Sequence, residues 1–203
     1  MIYFVSDIHL GAGSREQAQR TERAFCRWLD MVAADATHLY LLGDIFDFWF
    51  EYRRVAPKGF VRVLGRLAEL TDRGVRVTLY TGNHDMWCYD YFERECGIEV
   101  VKSPRVECIA GKKLHSAHGD NMNIRGNLLL RLMNATFRSR VARWLFSWLV
   151  HPDLSLKFGH WWSGKSRKSH GTEPIAADRL DFLVDYARQH HMVSGDVAAY
   201  IFG

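Results

Sequence analysis

The chain has 203 residues, 48% of them hydrophobic and 25% charged, with a formal net charge of +4. That length and balance suit a globular unit with a sizeable core and exclude a collagenous, low-complexity or disordered chain. No apolar run approaches the roughly 18 residues of a membrane span, and the four cysteines form no CxxC pair, so neither a zinc knuckle nor a dithiol redox site is indicated.

In chain order, "IYFVS" reads as a buried strand and runs into "DIH". No basic segment precedes it, and an acid and a histidine follow at once. That is not a secretory signal, so the protein is expected in the cytoplasm. Ala24, Phe25, Trp28, Leu29 and Val32 recur at helical spacing and predict an amphipathic helix. "HLYLL" is a second strand and ends in "GD". Val63, Leu64, Leu67 and Ala68 mark a second helix. "VRVTLYT" is a third strand, before "GNHD". "RVECIAGKKLHSA" reads as a hairpin turning near Gly111 and closes on "HGD". Strand and helix in alternation predict an α/β fold with parallel strands buried on both faces. Ligands in such sheets collect at the carboxyl ends of the strands.

The polar clusters fall at those ends: Asp7 with His9, Asp44, Asn83 with His84, and His118. Steps of 37, 39 and 35 residues separate Asp7, Asp44, Asn83 and His118, each about one structural unit. Asp7 and His9 are two apart, which sends both side chains to one side of an extended end. Carboxylate, imidazole and amide donors without thiolate suit Mn²⁺, Fe²⁺ or Zn²⁺. Each cluster alone is weak, since a lone strand-end aspartate is more often a helix cap than a ligand. His118 is preferred to His115 because it closes its strand; His115, three residues earlier, reads as a packing histidine on the opposite face. Asp47, in "GDIFDFW", reads as a supporting group or cap rather than a ligand. Cys26, Cys88, Cys96 and Cys108 read as reduced and mostly buried thiols.

Taken together and in order, "DIH", "GDIFD", "GNHD" and "HGD" resemble the calcineurin-like metallophosphoesterase superfamily, over the span from Met1 to about Asp120. Within it, "SDIHLG", "LLGDIFDFWFEY", "GNHDMW" and the basic insertion after "HGD" are similar to the UDP-2,3-diacylglucosamine pyrophosphohydrolases of the lipid A pathway. The resemblance implies an αββα sandwich with a centre for two divalent metal ions, Mn²⁺ foremost and Fe²⁺ or Zn²⁺ as alternatives. It places the ligands at Asp7, His9, Asp44, Asn83 and His118, with Asp44 bridging, and the substrate-facing dyad at Asn83 and His84. His84 is then the catalytic donor to charge developing on phosphorus. The implied reaction is hydrolysis of the pyrophosphate bond of UDP-2,3-diacylglucosamine to lipid X and UMP. Two other classes stay open: a general metallophosphoesterase acting on nucleotide, nucleic acid or phosphoprotein, and a non-catalytic binding module.

The expected organisation is a metallophosphoesterase core over 1–120, a helical basic and aromatic cap over 121–170, and a return helix and strand over 171–203. Residues 125–168 hold nine Lys or Arg against one acid, Asp153, together with Trp144, Trp148, Trp161 and Trp162. Leu129, Leu132, Met133, Thr136 and Phe137 form an apolar stripe that Val141, Trp144, Leu145 and Trp148 continue, with Arg131, Arg138, Arg140 and Arg143 elsewhere or on its flanks. Basic and aromatic amphipathic helices suit an anionic membrane surface, or a groove for acyl chains. The plain alternative is a cap packed on the core or on a second subunit. Nucleic acid is not expected, because long leucine runs fit it badly. The expected partners are a lipid-linked nucleotide and the cytoplasmic face of the inner membrane, held peripherally; the oligomeric state is left open. "SGKSRKSHG" reads as a flexible basic loop able to grip a pyrophosphate.

The final "DVAAYIFG" reads as a buried strand, over Val197 to Phe202, running into a glycine. In the superfamily that this chain resembles, such a strand precedes a His-x-His pair and the strands that complete the second sheet. The expectation is a chain that stops short of that pair, with the second sheet incomplete and with weak metal binding and turnover.

Overall fold

The computed structural model describes residues 1–120, 122, 132, 135–170 and 181–203. Four strands, β1 (Ile2–Val5), β2 (His38–Leu41), β3 (Arg76–Tyr80) and β4 (Glu99–Val101), form a parallel sheet in that order. Every residue of β2 is buried, as a central strand covered on both faces requires. The crossovers carry α1 (Arg15–Val32), α2 (Val61–Asp72) and α3 (Tyr91–Cys96).

Local chemistry sets these elements. α1 starts at Ser14, whose hydroxyl accepts from Gln17 N while the Gln17 side chain accepts from Ser14 N, a reciprocal capping box. It buries Phe25, Cys26, Leu29 and Val32. Cys26 therefore takes the inward place expected of Ala24, which is exposed. α2 buries Val63, Leu64, Leu67 and Leu70 beside them in one core. The pair α3–β4 is absent from the sequence reading, because "EVV" is too short to show a period.

A second sheet holds β5 (Arg105–Ile109), β6 (Lys112–Ala117) and β7 (Ala199–Phe202), in that order. β5 and β6 are antiparallel, and Ala110 and Gly111 between them have φ of 50° and 78°. Two left-handed residues make the tight primed turn that matches strand twist. β7 runs parallel to β6. Tyr40, Leu42, Tyr80, Val101 and Ile109 pack together with Leu114 and Ile201 where the two sheets face each other. The α/β fold with two layered sheets agrees with the sequence expectation.

Two helices of the insertion follow β6: α4 (Arg140–Leu149) and α5 (Pro152–His170). α6 (Asp181–Ser194) then leads back to β7. The stretch Ser163–His170, expected as a loop, is the last part of α5. It contains no proline, and its one glycine costs a helix only about 1 kcal/mol. Leu129 and Met133 of the expected stripe, and Arg131 on its flank, lie outside the described residues. α5 turns a small face inward: Ser155, Gly159 and Ser163, four residues apart, are buried. At Gly159 the helix lies so near the Phe48 ring that a Cβ would collide with it. Leu154, Phe158, Trp161 and Trp162 are exposed on the same helix, as are Val141, Trp144, Leu145 and Trp148 on α4. Tyr52 Oη donates to Val150 O at 3.0 Å, the Phe50 and Phe146 rings meet at 5.1 Å, and Arg143 lies 3.8 Å over the Tyr89 ring. These contacts tie α4 to the loops after β2 and β3. Among the described residues no helix is long and apolar enough to cross a membrane.

Candidate metal centre

The loops after β1 and β2 run on side by side past the strands. Asp7 N donates to Gly43 O (3.2 Å), His9 N to Asp44 O (3.0 Å) and Leu10 N to Ile45 O (2.8 Å). Within this tract Asp7, His9 and Asp44 have φ of 53°, 48° and 52°. They are three of the five non-glycine residues with positive φ among those described. Such backbone costs of order 1 kcal/mol or more per residue and persists only where surrounding bonds impose it. The turn, rather than the strand pleat expected from the sequence, aims Asp7 and His9.

The side chains converge on one carboxylate. Asp44 Oδ2 lies 3.5 Å from His118 Nε2, 3.9 Å from His84 Nε2 and 4.0 Å from His9 Nε2. Asp7 Oδ1 is 3.9 Å from His9 Nε2. Two donor sets result, His9–Asp44–His84 and Asp7–Asp44–His118, each with its ligand atoms within 4.8 Å of one another. Asp44 belongs to both. His118 Nδ1 bonds Leu42 O and His84 Nδ1 bonds Asp47 O, both at 2.8 Å. Those carbonyls hold the Nδ1 protons and leave each Nε2 facing Asp44, which is how a protein presents ligating imidazoles. Oxygen and imidazole donors without sulfur, around a shared carboxylate, fit two divalent ions of the Mn²⁺, Fe²⁺ or Zn²⁺ kind.

Asp7, His9, Asp44, His84 and His118 thus arrive at one place, with one difference of emphasis. His84, read from the sequence as a substrate donor, sits inside a donor set, while Asn83 beside it is exposed. His115 lies elsewhere, buried with Nε2 3.2 Å from Tyr186 Oη on α6, a packing histidine as read. Cys26, Cys88 and Cys96 are buried, Cys108 is exposed, and all are free thiols.

Electrostatics follow from the crowding. Burial opposes the charged form of His118, but the bond and charge of Asp44 outweigh it and push the imidazole up to about 9. Burial likewise works against the Asp44 anion, yet His118 and then His84 hold that carboxyl below its ordinary value. Ligation requires neutral imidazole, so metal loading releases this proton. Burial, then the Asp44 charge, push Asp85 up to about 6.

Sequence reasoning missed two contributors. Asp85 is 0% exposed and accepts from Gly82 N at 2.7 Å and from Ile45 N at 2.9 Å, clamping the loops after β2 and β3 together. Its position three residues after a strand-end glycine is the turn-stabilising signal that could have found it. Asp120 pairs with Arg138 at 3.2 Å, joining the "HGD" loop to the insertion. Asp47, read from the sequence as a supporting group, contacts the site and the cap at once, through His84 and Ser163.

The sequence profile of the calcineurin-like phosphoesterase family matches residues 1–201. A UDP-2,3-diacylglucosamine hydrolase of Porphyromonas gingivalis is 38% identical, over all of this chain and 81% of that protein. A protein of the same name from Stutzerimonas stutzeri is 33% identical over 65% of this chain and 53% of its own length. Another from Histophilus somni is 28% identical over 92% of this chain and 78% of its own.

Proposed function

The chain belongs to the calcineurin-like phosphoesterase family of metal-dependent hydrolases, and from there we propose that it cleaves the pyrophosphate bond of UDP-2,3-diacylglucosamine. Water adds to one phosphorus, the bridging P–O bond breaks, and UMP and the diacylglucosamine 1-phosphate, lipid X, leave. The observation that carries this reading is the membership of Asp44 in two donor sets beneath a basic, aromatic cap. Whole-chain likeness to a protein named for that substrate supports it.

We assign Asp7, His9, Asp44, Asn83 and His118 to the ions, Mn²⁺ foremost. When bound, two dications supply positive charge against the phosphoryl oxygens and acidify water near neutral pH. The chain's own residues do the rest. Asp44 sits between the two sets with its backbone held left-handed. Asp85 keeps the loops after β2 and β3 at fixed spacing. His84, oriented by Asp47 O, presents Nε2 to the site and in its protonated form donates to charge developing on a phosphoryl oxygen. Asn83, exposed beside it, is placed to meet the substrate. The leaving phosphate is already a stabilised anion and needs little acid assistance.

The cap supplies the lipid side. Its exposed aromatic and leucine side chains, among nine cationic residues over 125–168, match acyl chains and an anionic bilayer. The protein then works peripherally at the cytoplasmic face of the inner membrane.

The test measures UMP release from UDP-2,3-diacylglucosamine in detergent with added Mn²⁺, beside a panel of nucleotides, oligonucleotides, phosphopeptides and bis(p-nitrophenyl) phosphate. The lipid-linked nucleotide is expected to win by at least about a hundredfold in kcat/KM. Equal rates across the panel would make the protein a general phosphoesterase.

A further inference from the structure

Asp47 stands three residues beyond Asp44 and is 1% exposed. Its groups reach in three directions. The main-chain carbonyl accepts His84 Nδ1 at 2.8 Å. Carboxylate Oδ1 lies 3.9 Å from His9 Nδ1. The same Oδ1 accepts the hydroxyl of Ser163 on α5 at 2.5 Å. His9 and His84 are the two imidazoles of one donor set, and their rings meet edge to face at 4.9 Å. One buried residue therefore touches both imidazoles of a donor set and the cap helix.

The way α5 approaches makes this contact specific. Ser163 follows Gly159 by one helical turn on the same buried face. Gly159 lets the helix lie directly on Phe48, the residue after Asp47. The small face of α5 thus seats on the Asp47–Phe48 pair, and the Ser163 hydroxyl is the polar end of that seat.

We infer that Asp47 is a positioning residue that couples seating of the α5 cap to the metal ligand His9 and to its neighbour His84. An imidazole that ligates through Nε2 becomes a stronger donor at Nδ1, and a carboxylate there fixes its ring and raises its basicity. For His9 that carboxylate is Asp47, already held by Ser163. A seated cap orients Asp47 for His9, and a loaded site holds Asp47 for Ser163. The coupling is reciprocal, because two events that share one group shift each other's equilibrium equally. The inference rests on the assignment of His9 to a metal ion.

The experiment compares hydrogen exchange of α5 amides in metal-free and Mn²⁺-loaded protein, with Mn²⁺ affinity by calorimetry, for the wild type, Ser163→Ala, Asp47→Asn and Tyr52→Phe. In the wild type, Mn²⁺ should slow α5 exchange by about fivefold or more. Ser163→Ala and Asp47→Asn should each lose most of that slowing and bind Mn²⁺ about 10-fold more weakly. Tyr52→Phe removes a cap contact remote from the donor sets, at Val150 O. It should loosen the cap yet keep the Mn²⁺ response and affinity. Unchanged α5 exchange in a wild type that binds Mn²⁺ overturns the coupling, as does a Ser163→Ala protein with wild-type affinity and response. A wild type that binds no Mn²⁺ overturns the metal assignment itself, and the coupling with it.

Discussion

Gly82 abuts Asp44: a side chain at position 82 would place its first carbon 2.7 Å from the Asp44 main-chain nitrogen and against Asp44 Oδ1. His84 N donates to that same Oδ1 at 3.0 Å. The loops after β2 and β3 can meet only because residue 82 lacks a Cβ. Gly82→Ala must push Asp44 away or break the His84 bond, and overpacking of this kind costs about 1–3 kcal/mol. The expected outcome is a lower urea midpoint together with loss of Mn²⁺ binding by calorimetry. A variant that binds Mn²⁺ like the wild type would show that the loop contact is dispensable.

Asp44→Asn keeps the shape and the acceptor for His84 N but removes the charge shared by both donor sets. The fold should persist, since β2 ends before residue 44. Metal affinity and turnover should fall by more than about 100-fold, because partners outside the donor shell already cost 10–100-fold. Turnover near the wild-type value would rule against a shared carboxylate.

Trp144, Trp148 and Trp161 are 56%, 76% and 59% exposed, so replacing them with alanine should leave thermal unfolding close to the wild type. On the lipid-linked nucleotide, KM should rise by about tenfold or more, since burying a large apolar side chain is worth about 1.5–3 kcal/mol. Hydrolysis of bis(p-nitrophenyl) phosphate should be unaffected. Equal losses on both substrates would assign the indoles to packing.

Glu51 is buried, and its carboxylate accepts from Trp49 Nε1 (2.9 Å) and from the main-chain nitrogens of Tyr89 (2.5 Å), Asp90 (3.1 Å) and Tyr91 (3.3 Å). It gathers the start of α3 against the loop after β2. Glu51→Ala orphans these donors and should cost about 3 kcal/mol in urea unfolding. Glu51→Gln, which keeps an acceptor for part of the set, should cost less.

His38 opens β2, with Nε2 2.9 Å from Thr78 Oγ1 and its ring stacked on Tyr40 at 3.9 Å. Burial, then the Arg76 charge, lower its pKa to about 4 against the pull of Glu99. The unfolded chain takes up this proton near the ordinary 6.5, and the folded one does so only near 4. The contribution of His38 is therefore fully present above pH 6.5, declines as pH falls through the window down to about 4, and is level below it. His38→Gln should flatten the pH dependence of the urea midpoint in that window. An unchanged slope would mean that His38 titrates alike in both states.

Much of this could be read along the chain. Strands that a parallel sheet buries on both faces must be apolar throughout, so "IYFVS", "HLYLL" and "VRVTLYT" announced β1, β2 and β3. Asp7, His9, Asp44, His84 and His118 could be found because each lies just past such a run, where an α/β sheet collects its ligands. The hairpin turn at Ala110 and Gly111 was legible for the same local reason. α3 and β4 were not, being six and three residues long, shorter than a period needs to declare itself. The end of α5 was misread because a basic, serine-rich stretch with one glycine looks like a loop until the helix has a surface to lie on.

The sequence by itself determined the donor chemistry and its order, since ligand type and strand-end position are local properties of a few residues each. The family resemblance already implied a shared Asp44; only the tertiary structure decided that His84 belongs to a donor set and which groups Asp85 and Asp47 hold. The physical reason is range. Those relations are contacts of 2.5 to 4.0 Å between residues 35 to 116 positions apart. No pattern along the chain encodes a contact that exists only after two sheets have stacked and a helix has closed over their ends.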